Sequence, residues 1–263
     1  MALSLRTVVA TRYVTPLREG GSLPAIVEAD DEGLYVVKFS GAGQGPKALI
    51  AELVAGEIGR ALGLRVPEIV LVDLDPALGR TEPDYEIRAL LKGSAGLNLG
   101  LDYLPGSLAY DPLVVGSVDA TLASRVVWFD AFITNVDRTA RNTNLLEWHR
   151  QLWLIDHGAS LIVHHGWSEP QAKSRGAFAA IRQHVLLPLA SELATEAAAL
   201  RARLSEGLFA EIVAAIPEAW LASEEQFPDP AAHRRAYVDY LTARLAASDV
   251  FTEEAERARA QLV

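Results

Sequence analysis

Thr134-Asn135-Val136-Asp137-Arg138-Thr139-Ala140-Arg141-Asn142-Thr143-Asn144, with Leu154-Ile155-Asp156-His157-Gly158 close behind it, is the stretch on which the reading of this chain turns. The first segment is a polar loop that follows residues 117–135, where Val118, Leu122, Val126, Phe129 and Ile133 recur at helical spacing. Ser117 or Asp119 can cap that helix. The second segment is an aspartate and a glycine at the end of an apolar strand, residues 152–155. Helix, loop, strand and acidic turn therefore set two carboxylates and an asparagine on consecutive loops. Taken singly, Asp137 and Asn142 read equally well as turn formers, and Asp156 as a cap for the next element. Their order and register favour chemistry.

Toward the N-terminus the pattern is strands with one helix among them. Residues 23–28 and 33–39 flank the acidic turn Asp30-Asp31-Glu32-Gly33, which predicts a hairpin, with Gly20-Gly21-Ser22 just ahead of it. A helix is expected over 46–62, opened by Pro46 and ended by Gly63. Residues 68–74 read as a strand and 84–91 as a further one, while the apolar run 97–104 stops at Pro105-Gly106. Toward the C-terminus, helices are expected over most of 176–262, broken near Pro188, Pro217 and Phe227-Pro228-Asp229-Pro230, with the alanine-rich 193–204 among them. A strand-rich half followed by a helix-rich half predicts an α+β protein with two lobes.

Composition narrows the function classes. Half the 263 residues are hydrophobic and 22% are charged, as in a globular protein. Lysine and arginine number 24 against 34 aspartates and glutamates, a net charge of −10 that repels phosphate backbones, so no nucleic-acid partner is expected. The absence of cysteine excludes disulfides, thiolate metal sites and cysteine nucleophiles. Residues 1–12 lack a signal-peptide core, and nowhere do about 18 apolar residues run uninterrupted, so a cytoplasmic protein with no membrane span is expected. His164 and His165 are adjacent and would point apart in an extended chain, and His149, His184 and His233 lack ligand spacing. The five tryptophans read as core or rim residues, and no nucleophile elbow is present.

Phosphoryl transfer needs a carboxylate near the accepting hydroxyl and oxygen ligands for magnesium beside the nucleotide phosphates. Asp137 and Asn142, five residues apart, have the spacing of a kinase catalytic loop, and Asp156 with Gly158 falls where a metal-binding aspartate belongs. A strand lysine must also hold phosphates, and Leu34-Tyr35-Val36-Val37-Lys38-Phe39 supplies one, although an edge-strand lysine facing water fits the alternation too. Its partner would be Glu52 or Glu57. Hydrophobic periodicity favours Glu57, but the stripe Glu52, Gly56, Gly59, Gly63 lets another backbone pack closely on that face, and Glu52 is preferred. The phosphates need a glycine-rich turn, either Gly20-Gly21-Ser22 or its rival within 40–45.

The runs GGSLP, YVVKF and AELVAGEIGRALGLRVPE, with NVDRTARN and LIDHG later, resemble the HipA-like kinases over residues 18–160. In that family pattern the helix glutamate lies eleven residues before the glycine of Leu62-Gly63-Leu64, a place Glu52 fills. The resemblance implies a two-lobed protein-kinase-like fold, with residues 1–101 as the nucleotide-covering lobe, 102–106 as hinge and 107–263 as the helical lobe. It implies ATP and magnesium as cofactors and a protein serine or threonine as acceptor. Lys38 would hold phosphates with Gly20, Gly21 and Ser22 above them, and Glu52 would hold Lys38. The backbone of Asp102, Tyr103 and Leu104 would meet adenine, Asn142 and Asp156 would bind magnesium, and Asp137 would deprotonate the acceptor. Two departures stand out. Only 37 residues precede Lys38, whereas the toxin kinases carry a further N-terminal subdomain, which puts an antitoxin partner in doubt. Val136 stands where many regulated kinases have arginine, so switching by loop phosphorylation is not expected. His157 replaces the usual phenylalanine, which should change packing at the metal loop without removing the ligand Asp156. The alternatives are a kinase for a small molecule or lipid headgroup, and a catalytically silent nucleotide-binding module.

Overall fold

The computed structural model describes residues 3–17, 23–43, 45–114, 118–222 and 224–262. Five strands close into a barrel: β1 (Thr7–Pro16), β2 (Ala25–Ala29), β3 (Leu34–Lys38), β4 (Ile69–Leu74) and β5 (Gly96–Asp102). β2 and β3 form the expected hairpin, with Ala25 opposite Val37 and Glu28 opposite Leu34. The Asp31 carboxylate accepts the Gly33 N–H at 3.0 Å inside its turn. β5 lies between β3 and β4, antiparallel to both. β1 closes the barrel, and sequence reasoning missed it. Its first three residues pair with β4 in parallel and the remainder with β2, across two register shifts that bend it between neighbours. Only Val8 and Ala10 of its side chains are buried, so the strand carries little apolar signal.

Residues 84–91 are not a strand. They form α2 (Tyr85–Gly93), because the Asp84 carboxylate accepts the Glu86 N–H at 2.9 Å and starts a helix. Ile87 and Leu91, one turn apart, both reach the apolar filling of the barrel made by Val8, Val27, Val37, Val70 and Val72.

α1 (Pro46–Ala61) crosses between the barrel and the helical remainder. It ends as its sequence predicts, since Gly63 has φ +81° and Leu64 N–H closes on the Gly59 carbonyl at 3.0 Å. Its glycine stripe admits side chains where a neighbouring backbone was expected. A Cβ on Gly56 would stand 2.6 Å from Ile69 Cδ1, and one on Gly59 3.2 Å from Phe129 Cζ. One continuous core joins Leu49, Leu53 and Ile58 of α1 to Val126, Phe129 and Phe132 of α3 (Ala120–Ile133). Asp119 caps α3, accepting the Leu122 N–H at 2.7 Å; Ser117, the other candidate cap, lies outside the described residues.

After α3 comes a small sheet of β6 (Leu108–Ala109), β7 (Leu145–Trp148) and β8 (Gln151–Leu154). The residues from 176 to 190 are short turns where helix was expected. Phe178 sits in the left-handed region at φ +59°, and Pro188 lies in the first positions of a 3₁₀ turn of only three residues, Leu187–Leu189. Among the described residues, six more helices follow: α4 (Pro170–Ser174), α5 (Leu193–Arg201), α6 (Glu206–Ala214), α7 (Glu218–Leu221), α8 (Pro230–Ala246) and α9 (Ser248–Ala260). Arg244 of α8, fully buried, donates to the carbonyls of Ala131 and Phe132 at 2.7 and 3.2 Å and so satisfies the C-terminal end of α3. Among the described residues, no helix is long and apolar enough to cross a membrane.

Candidate active site

Lys38 is the last residue of β3, opposite Leu99 of β5. Its ammonium is nearly buried and does not face water. Nζ lies 2.6 Å from Glu52 Oε2 and 2.5 Å from Asp156 Oδ1. Burial alone would lower the Lys38 pKa; the two carboxylates outweigh that and the net shift is upward. Burial likewise works against the Glu52 carboxylate, but Lys38 and His157 pull its pKa down to about 2. Glu57 lies on another face of α1, 3.5 Å from Arg60, with its pKa raised by burial. Of the two candidate carboxylates, Glu52 is the one beside Lys38.

His157 does more than change packing. Its backbone N–H donates to Glu52 Oε2 at 2.8 Å and its Nδ1 lies 3.2 Å from Oε1, while its ring meets Phe129 edge-on. The turn that carries Asp156 is thereby fastened to α1. Asp156 itself has φ +55°, a conformation aspartate tolerates better than most residues, and its side chain is 44% exposed.

Asp137 and Asn142 meet directly, Asn142 Nδ2 donating to Asp137 Oδ2 at 2.8 Å. The loop is held from beneath by Arg138, which sequence reasoning passed over. Arg138 is fully buried, donating Nε to Asp130 Oδ2 at 2.5 Å and Nη1 to the carbonyls of Asn144 and Ile155. His184 Nε2 lies 2.8 Å from the same Asp130 oxygen, and its Nδ1 accepts the Leu186 N–H at 3.0 Å, which places the ring proton on Nε2. Burial disfavours the Asp130 anion; Arg138 and His184 reverse that and hold its pKa well below the usual range. No local pattern signals this cluster, since Asp130 and His184 are 54 residues apart.

A cleft of about 770 Å³ opens beside Lys38. Val36, Pro67, Leu101, Leu104, Leu146 and Ile155 give it apolar walls, and Lys38, Asn142, Asn144 and Asp156 give it polar ones. Gly20, Gly21 and Ser22 lie outside the described residues; Thr15, Pro16, Leu17 and Pro24 on either side of them line the cleft. The rival loop is committed elsewhere, with Ser40 N–H on Asn98 Oδ1 at 2.8 Å and Gly41 N–H on Ser94 Oγ at 3.0 Å. Asp102, Tyr103 and Leu104 all line the cleft, but two of their amides are spent: Asp102 N–H on the Glu68 carbonyl and Tyr103 N–H on that of Leu34, both at 2.9 Å. Among the described residues the Leu104 amide has no such partner.

Asn142 and Asp156 present hard oxygen donors to one cavity, a set that suits a magnesium ion completed by water and phosphate. Among the described residues, no group of three or more histidines and carboxylates could hold a metal. His164 and His165 are not extended and splayed. They sit in a 3₁₀ turn with ring centroids 4.7 Å apart, and His164 Nδ1 is 3.0 Å from Tyr237 Oη.

No curated protein matches the sequence. Among solved structures the chain is similar to the Helicobacter pylori proinflammatory kinase CtkA, at 12% identity over 98% of this chain and 99% of that one, with a TM-score of 0.56, which speaks for the fold alone. It also matches the Golgi casein kinase with Mn/ADP bound, at 12% identity, 98% and 75% coverage and a TM-score of 0.47. A second Golgi casein kinase structure matches at 11%, 96% and 72%, with a TM-score of 0.46. Residues 11–254 match the family model described as HipA-like kinase. With that match running through nearly the whole sequence, the chain belongs to the HipA-like kinase family and is a phosphotransferase.

Proposed function

We propose that this chain is an ATP- and magnesium-dependent kinase for a protein serine or threonine hydroxyl. In this reading residues 1–101 cover the nucleotide, 102–106 act as hinge and 107–263 form the second lobe. One observation carries it: Lys38, Glu52 and Asp156, from three separate elements, converge at the edge of a cleft that Asn142 also lines. The apolar walls would take a purine, and the Leu104 amide, without a partner among the described residues, would donate to it. Lys38, fixed by Glu52, holds the α- and β-phosphates once a nucleotide draws it from Asp156. Asn142 and Asp156 would hold magnesium, which when bound would supply positive charge against the phosphates. Asp137 takes the proton of the acceptor hydroxyl. That oxygen bonds the γ-phosphorus, the bond to the β–γ bridging oxygen breaks, and ADP leaves with the electron pair.

Asp137 is assigned to the acceptor and not to the metal, so its contribution is made in the transition state. Asp137→Asn is expected to keep ATP–magnesium binding and to lower transfer by roughly a hundredfold or more. Labelled ATP, supplied with cell extract, reads the result: label on protein supports the proposal, label on a small solute replaces its acceptor, and wild-type transfer by Asp137→Asn sinks the assignment.

A further inference from the structure

Two chain segments form the ground around Asp137 outside the cleft. One is its own loop, residues 138–146. The other is residues 170–191, tied to that loop by the β-bridge between Thr139 and His184 and by Val185 N–H on the Arg138 carbonyl at 3.1 Å. Neither segment contains an aspartate or glutamate, in a chain that has 34 of them. Both carry exposed cations: Arg141 on the first, Arg175 and Arg182 on the second. Among the described residues none of these three makes an ion pair, whereas Arg6, Arg12 and Arg125 each find a carboxylate.

Their backbone is held firmly. Arg182 lies two residues before His184, which is hydrogen-bonded to Asp130. Arg175 lies between Ser174 and Gly176, whose carbonyls accept from Arg244 Nη1 at 3.1 and 2.5 Å. The same guanidinium binds the end of α3, where the Asp137 loop begins. Two segments joined beside the Asp137 loop thus present exposed arginines on a −10 molecule, on the side of that loop where an acceptor must arrive.

We propose that the acceptor hydroxyl is presented on an acidic peptide segment, whose flanking carboxylates meet Arg141, Arg175 and Arg182. This rests on the kinase reading and names its substrate class. Nucleic acid is the poorer occupant, because the rest of the surface repels a long polyanion while a short acidic segment need touch only the patch.

The test is phosphate transfer from ATP and magnesium to three short serine peptides, alike except for flanks of glutamate, alanine or lysine. The glutamate peptide is expected to exceed the lysine peptide in kcat/KM by about tenfold or more, with the gap narrowing as salt screens it. The R175E/R182E double variant should invert the order. Arg182→Gln, which adds no carboxylate, should narrow the preference if the double variant fails to fold. Equal rates on all three peptides, or a wild-type preference for lysine, overturn the proposal and leave the kinase reading intact. A preference unchanged in both variants overturns the assignment to these arginines. No transfer to any peptide, while ATP and magnesium still raise the melting temperature, overturns the peptide acceptor itself.

Discussion

Two buried charge clusters support the loops of this site, and they differ in how completely they are closed. Around Asp130, every strong partner is internal: Arg138, His184 and Asn135 converge on one carboxylate, and Arg138 Nη1 ends on the carbonyls of Asn144 and Ile155. Around Lys38 the set is open, because Asp156 is nearly half exposed and faces the cleft with Asn142. Both clusters bear the desolvation cost of burying ions. The closed one fixes the geometry of the Asp137 loop, and the open one keeps groups free to exchange an internal partner for a ligand.

The largest expected effect breaks the closed cluster. Arg138→Met leaves the Asp130 carboxylate buried without its cation and removes the Arg138 donor from the Ile155 carbonyl. The loss should be about 3–5 kcal/mol in denaturant unfolding; a loss within experimental error would show that Asp130 has other means of compensation. A neutral buried group tests burial without an ion pair. Burial, with a smaller contribution from His165, holds the His164 pKa down to about 3, below the ordinary 6.5. The unfolded chain therefore takes up that proton first, so the contribution is full above pH 6.5 and is lost as pH falls toward 3. Between pH 7 and pH 5 the loss should be about 2 kcal/mol. His164→Phe should flatten that slope in thermal melts, from a lower starting stability because Tyr237 loses its partner; an unaltered slope would place the titration elsewhere.

The open cluster should respond in the opposite sense to the closed one. Asp156→Asn, which keeps a residue tolerant of positive φ, should change nucleotide-free stability by no more than about 1 kcal/mol. It should nevertheless abolish the magnesium-dependent part of ATP stabilisation in the same melts. If that part survives, Asp156 belongs to the scaffold after all. Smallest of all is Glu57→Gln. Burial raises the Glu57 pKa, so its anion is slightly unfavourable in the folded state, and the amide should leave unfolding unchanged or marginally improved.

How much of this was legible in the sequence follows the range of the interactions. The hairpin, α1 and its glycine cap, and the strands β4, β5 and β8 each declare themselves within a dozen or so residues, through alternation, helical spacing or a turn. β1 does not, since two bulges and a mostly exposed surface leave it only Val8 and Ala10 as inward markers. α2 misleads because Ile87 and Leu91 sit in a short apolar run that a strand would also show, and its capping aspartate decides the matter. At the site, the residue types on the Asp137 and Asp156 loops could be read, but the atoms they meet could not. Arg138 looks like one more solvated cation beside Asp137 until the fold brings Asp130 and His184 to it. The amides of Asp102 and Tyr103 looked available until strand pairing claimed them.

The order in which the barrel strands occur has a consequence for a chain emerging from the ribosome. β1 waits for β4 before its first residues find a partner, and β3 waits for β5, so the ring closes only when Asp102 is made. The ammonium of Lys38 waits longer. One of its carboxylates follows within the next helix, but the other is supplied by Asp156, 118 residues downstream. Until then the nascent chain holds a lysine with only half of the counter-charge that its final burial uses. Assembly of this centre is therefore a long-range event in biosynthesis, completed well after the strand that bears the lysine is made.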